Sequence, residues 1–243
     1  SEDERTRTDE LIRPILRGRD INRYTYDFAD KYLIATFPSL KYDIDDYPTV
    51  KCFLEGFLPK LQQTGKKLTS EEKIKVMTHA LKHGINITEN SLKASRKKTT
   101  NKWFETQDSI SYWEDFYKQK VIWKIIGSNI NFCFDNEKYF CNNAVNIMTG
   151  APTLLLQFIG LMNSSLFNWY LKLTTEAEVQ GEGIQLYATT IENTPVKLDF
   201  DEEFSNLVYQ RQRKKIPDCI LDEYIYKLYN LTHEEITFIK NSF

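Results

Sequence analysis

Glycine and proline are scarce in this chain, nine and seven among 243 residues. That excludes collagen-like or low-complexity disorder as a description of the whole. Cysteine is sparse too. Cys52, Cys133, Cys141 and Cys219 form no C-x-x-C pair, and their spacings suit neither a zinc knuckle nor a small disulfide scaffold. Reduced, mostly buried thiols in a cytosolic protein are expected. Long apolar runs are missing. The longest, near residues 154–173, is broken by Gln157, Asn163, Ser164, Ser165 and Asn168, and reads as a buried helix rather than a membrane span. No apolar stretch follows a basic leader at the N-terminus, so no signal peptide, no membrane partner and a cytoplasmic location are expected.

Catalytic signatures are equally absent. There is no P-loop, no G-x-G-x-x-G and no G-x-S-x-G. His79 and His83 stand four apart on an expected helix, but A-L-K separates them and the glutamate of H-E-x-x-H is missing, so a structural role is preferred to a zinc site. D-I-D-D at 43–46 reads as helix-start acids rather than metal carboxylates. Glu176, Glu178 and Glu182 have no paired base. No active site emerges, no metal is called for, and a binding module is favoured.

What is present is a core and a polarised charge. Hydrophobic residues make up 41% of the chain, enough for one large domain or two small ones. The formal net charge is only −2. Yet residues 13–23, 93–102 and 211–215 hold 13 of the 32 lysines and arginines and a single acid, Asp20. It is local potential that attracts a polyanion, so a near-neutral total does not exclude one. Any one run taken alone is equally well a solvated face.

Hydrophobic periodicity gives the elements. K-Y-L-I-A-T-F at 31–37 reads as a strand. Asp45 or Asp46 is expected to cap a helix with Pro48 in its first turn, and Thr69 with Glu72 fits a capping box for a second helix ending at Gly84. Residues 86–102 have no apolar period and read as a loop. S-Y-W-E-D-F-Y-K at 111–118 suggests a short helix. Strands are expected at K-V-I-W-K-I-I-G, N-F-C-F-D and A-V-N-I-M, through residue 148. One long apolar helix follows, from Pro152 to about Thr174. L-Y-A-T-T-I and P-V-K-L-D-F are read as strands. Helices then cover roughly 201–214, 218–230 and 232–242, the last with a Thr232–Glu235 capping box. Strands and helices do not alternate, so the fold class is α+β: an irregular mixed sheet with a buried central helix, flanking helices and a helical C-terminal tail. Residues 1–200 are expected to form one domain, with 201–243 packed on it.

Six stretches, in order, resemble a known family. They are L-I-R-P-I-L-R-G-R-D-I-N-R-Y; K-W-F-E-T-Q-D-S-I-S-Y-W-E-D-F-Y-K-Q-K-V-I-W-K-I-I, with its K-[IV]-[IV]-W strand; C-F-D-N-E-K-Y-F-C-N-N-A-V-N-I-M-T-G, with a D-x-x-x-[YF] turn; L-L-L-Q-F-I-G-L-M-N-S-S-L-F-N-W-Y-L-K, with an L-x-N-S core; G-E-G-I-Q-L-Y-A-T-T-I-E-N-T-P-V; and L-D-E-Y-I-Y-K-L-Y-N-L-T-H-E-E-I. This order is similar to the TaqI-like C-terminal specificity domain of type IIG restriction–modification enzymes and adenine-specific DNA methyltransferases. Residues 66–102 depart from the pattern.

The resemblance implies recognition of a short sequence in double-stranded DNA by a non-catalytic chain. It implies a methyltransferase domain on the N-terminal side, with S-adenosylmethionine and an N-P-P-[YF] motif. No N-P-P occurs here, so the catalytic half is expected upstream of residue 1, and this chain by itself should neither methylate nor cleave. The alternatives are a specificity subunit of a multisubunit system or a protein-docking module. Arginine and lysine suit phosphate and the guanine edge, and glutamine suits adenine. Arg17, Arg19 and Arg23 are therefore the first candidates for DNA contact, followed by Arg96, Lys97, Lys98 and Lys102 and by Gln180 and Gln185 beside the glycine loop. Against this, Asp20 is a natural partner for one or two of the first three arginines. Trp103, Trp113, Trp123 and Trp169 read as packing residues.

Overall fold

The computed structural model describes residues 2–175, 178–179, 183–197 and 200–242. The chain divides into two compact units, Ser1–Arg13 with Tyr32–Tyr112, and Pro14–Lys31 with Trp113–Phe243.

In the first unit, the helix Pro48–Glu55 starts on a proline, which costs nothing where no N–H is needed. Its Val50 and Leu54 bury against Leu11, Ile44, Tyr47 and Phe104. Neither Asp45 nor Asp46 caps it. Asp43 instead accepts from Asp45 N and starts a 3-10 turn over Ile44–Asp46, and Tyr47 takes the cap position. The helix Ser70–Lys82 carries the Thr69–Glu72 capping box. Its Val76 and Ala80 pack with Phe57 and Leu92. The expected strand at 31–37 shortens to Tyr32–Ile34.

The second unit is built on an antiparallel sheet whose central strand, Lys120–Lys124, lies between Phe132–Asp135 and Val145–Thr149. Its Val121 and Trp123 join Phe132 in the main core, with Ile159 and Phe204. The K-[IV]-[IV]-W and D-x-x-x-[YF] motifs meet here. Register sets Lys120 opposite Asp135, and their fully buried charges pair at 2.5 Å. Asp135 also accepts from the backbone of Glu137 and Tyr139, closing the turn.

The apolar segment after Pro152 is two helices, Pro152–Met162 and Ser165–Thr174, rather than one. The L-x-N-S core is the break. Asn163 bonds Phe132 N at 3.0 Å and Phe132 O at 2.8 Å, as a neighbouring strand would, and Ser164 caps the second helix. Among 186–191, residues Ala188–Glu192 are helical rather than extended, with Tyr187 at the cap. In 195–200, the described residues form no strand, and 198–199 lie outside the description. The C-terminal helices are Glu202–Gln212, Asp218–Leu228 and His233–Asn241. The whole is α+β with irregular sheets, flanking helices and a helical tail. Among the described residues, no helix is long and apolar enough to cross a membrane.

Candidate nucleic-acid interface

The first basic run, apart from Arg13, lies at the start of the second unit. Ile15 and Leu16 pair in parallel with Phe140 and Cys141. A 3-10 turn, Gly18–Asp20, follows, then a tight hairpin that pairs Ile21 with Tyr26. Gly18 packs closely here, since a Cβ there would stand 3.2 Å from the Ala144 carbonyl oxygen, a tight contact. Asp20 is buried and closes the turn. It accepts from Arg17 N at 2.8 Å, from Arg17 Nε at 2.9 Å and from Arg17 Nη2 at 2.7 Å. These bonds hold the Asp20 carboxyl below its ordinary value and raise Arg17.

The three leading arginines therefore have three different fates. Arg17 belongs to Asp20. Arg23 sits at the hairpin tip, where Tyr24 takes a positive φ of 68°. Its Nη1 meets Asp218 at 2.9 Å and its Nη2 donates to the Asn163 carbonyl. Arg19 is exposed and, among the described residues, has no hydrogen bond or ion pair. Arg13 donates to the carbonyls of Asp9 and Ile12.

The second basic run lies in the first unit. Residues 86–102 are irregular apart from the 3-10 turn Glu89–Leu92, but they are tied down. Gly65 N bonds Arg96 O, Ser95 N bonds Lys66 O, and Lys67 bridges Ala94. This pairing sets exposed Lys66 and Lys67 alongside Lys93, Lys97 and Lys98, which are also exposed. Periodicity gave no sign of it, because backbone bonds between irregular segments leave no repeat. Arg96 is turned inward. Its Nη1 donates to Glu105 O at 2.7 Å, and burial lowers its pKa. Lys102 is exposed, 5.5 Å from the Phe104 ring.

Gln185 is half-buried and bonds the Tyr187 hydroxyl, on a strand paired with Ile126–Gly127. Gln180 lies outside the described residues, as do Glu176 and Glu182. Trp123 is buried and donates to Leu186 O at 3.1 Å, while Trp103, Trp113 and Trp169 are half-buried. His79 bonds the Phe53 carbonyl at 2.9 Å and packs on Phe57. Among the described residues, no group of three or more His, Cys, Asp or Glu is placed to hold a metal. The thiols depart from the expected burial: Cys52 and Cys219 are exposed. Burial pushes Cys133 well up, and Cys141 up to about 12.

The family described as TaqI-like C-terminal specificity domain matches residues 13–196. A comparison with curated proteins finds no match. Among solved structures, the type IIG restriction endonuclease BpuSI is similar at 14% identity and a TM-score of 0.43, over 85% of this chain and 21% of that enzyme. The chain thus spans about a fifth of the length of that relative.

Proposed function

This chain belongs to the TaqI-like C-terminal specificity domain family, a family of non-catalytic modules of restriction–modification systems, and we propose that it reads a short sequence in double-stranded DNA. One observation carries the reading. Arg19 is an exposed guanidinium with no hydrogen bond or ion pair among the described residues, on a turn whose backbone the Arg17–Asp20 pair closes, so its donors are unspent. A guanidinium with unspent donors suits bidentate contact with guanine O6 and N7. Exposed lysines supply phosphate contacts, which set affinity and register without reading sequence. The bound duplex is then presented to a separate methyltransferase domain. S-adenosylmethionine chemistry belongs to that domain, and no residue of this chain is assigned to it.

Selection from a randomised duplex pool, followed by anisotropy titration, tests the reading. The chain is expected to enrich a defined motif, and Arg19→Ala is expected to bind with less preference while melting at the wild-type temperature. Failure to bind any duplex at low salt would refute it. A protein-docking reading has one observation of its own, the exposed stripe Ile74, Met77 and Leu81 on the Ser70–Lys82 helix. It predicts protein association that is indifferent to DNA.

A further inference from the structure

The third basic run, 211–215, lies beyond the residues the family match covers. The helix Glu202–Gln212 ends there. Lys214 takes a positive φ of 55°, donating its N–H to the Arg211 carbonyl, and Lys215 donates to the Gln210 carbonyl. A non-glycine residue in this conformation is uncommon, and the turn is correspondingly well defined. Arg213 lies 4.2 Å over the Tyr209 ring. Lys214 and Lys215 are exposed and, among the described residues, have no side-chain partner. From 211 to 217 there is no acid.

This knuckle is fastened to the hairpin that follows Arg19. Asp218 accepts from both Arg23 and Arg211. The Arg211 guanidinium also stacks 4.9 Å over the Tyr24 ring. Two guanidiniums share one carboxylate, so the pairing fixes the two segments together. Arg23 is only four positions on from Arg19, so their Cα atoms are at most about 14 Å apart. A cationic turn fastened to the hairpin that directly follows Arg19 lies on the same compact unit as the base-reading side chain, where it can meet phosphates flanking the base pairs read.

We propose that the 211–215 knuckle, through Lys214 and Lys215, grips the DNA phosphate backbone beside the base pairs that Arg19 contacts. The proposal rests on the DNA-reading function above. Removing the cation that neutralises one phosphate flattens the dependence of log affinity on log salt by about 0.9. Anisotropy titrations of the full chain on a labelled mixed-sequence duplex, across a salt series, should therefore show Lys214→Ala/Lys215→Ala with a slope shallower by about 1.8. The ranking of sequences enriched by the wild-type chain should be unchanged in the double variant. A wild-type slope in that variant overturns the knuckle proposal alone. Absence of duplex binding by the wild-type chain overturns the underlying reading as well.

Discussion

Arg17 and Asp20 meet through two parallel hydrogen bonds, 2.9 Å from Nε to Oδ2 and 2.7 Å from Nη2 to Oδ1, with Asp20 almost wholly buried. The pair closes the turn on which Arg19 is displayed, so its contribution is to shape. Asp20→Ala removes the acceptor of three hydrogen bonds, one of them from backbone, and is expected to cost about 2 kcal/mol. For a unit of this size that is a melting temperature lower by roughly 4–8 °C. The pH dependence has a definite sign. Asp20 is lowered in the folded chain, first by the Arg17 hydrogen bonds. Its contribution is complete above the ordinary aspartate value near about 4 and disappears as pH falls through the lowered one. Asp20→Asn should flatten that acid limb in thermal melts taken across pH. An unchanged acid limb would show that the pair does not stabilise the turn.

Arg19 separates two kinds of contact. If it reads guanine bidentately, a lysine cannot substitute, because an ammonium is a point charge without the planar fork. Arg19→Lys should then lose discrimination by about 5- to 150-fold, the equivalent of 1–3 kcal/mol, as Arg19→Ala does. If Arg19 contacts only phosphate, the lysine variant keeps both preference and salt slope. Competition between an enriched duplex and its single-base variants measures the difference.

Local signals were the most legible part of the fold. The Thr69–Glu72 and Thr232–Glu235 capping boxes sit where the spacing placed them, because a cap depends on four consecutive residues. Tertiary partners were hidden. Nothing near Arg23 announces Asp218, 195 positions away. The helix break at Asn163 depends on the Phe132 backbone that the side chain mates with, and an apolar period passes straight through it. Ala188–Glu192 contains Thr189, Thr190 and Ile191, whose β-branched side chains argued for a strand. Burial of Ile191 in the main core outweighs that weak preference. At the candidate interface, Asp20 was legible as an arginine partner because it lies three residues from Arg17, whereas its choice of Arg17 over Arg19 depends on the turn.

The lysines gathered by the pairing of 64–68 with 93–96 carry no compensating acid within those segments. Clustered like charges repel, and salt screens the repulsion. Lys66→Gln/Lys98→Gln should therefore raise stability at low salt, on the order of 0.3 kcal/mol per relieved pair of charges. The gain should vanish in high salt, and duplex affinity should fall in the same variant. Calorimetric melts at two ionic strengths read the sign. A loss of stability at low salt would mean that these side chains pack rather than repel.

Gly160 gives the most direct test of how the tail helix Glu202–Gln212 is seated on the buried helix Pro152–Met162. A Cβ at Gly160 would stand 2.3 Å from Val208 Cγ2 and 2.9 Å from Phe204 Cζ. Both neighbours are fully buried, so neither can swing into solvent. Gly160→Ala gains helix propensity of about 1 kcal/mol, but overpacking costs about 1–3 kcal/mol and more where the clash cannot relax. A net loss of stability is expected. Val208→Ala alone should also destabilise, by opening a cavity. In the double variant the new methyl fills part of the space the valine vacates, so its loss should be smaller than the sum of the single losses. Chemical denaturation of the four proteins in the cycle measures that coupling. Strict additivity would mean that the tail helix shifts away from Gly160 rather than pressing on it.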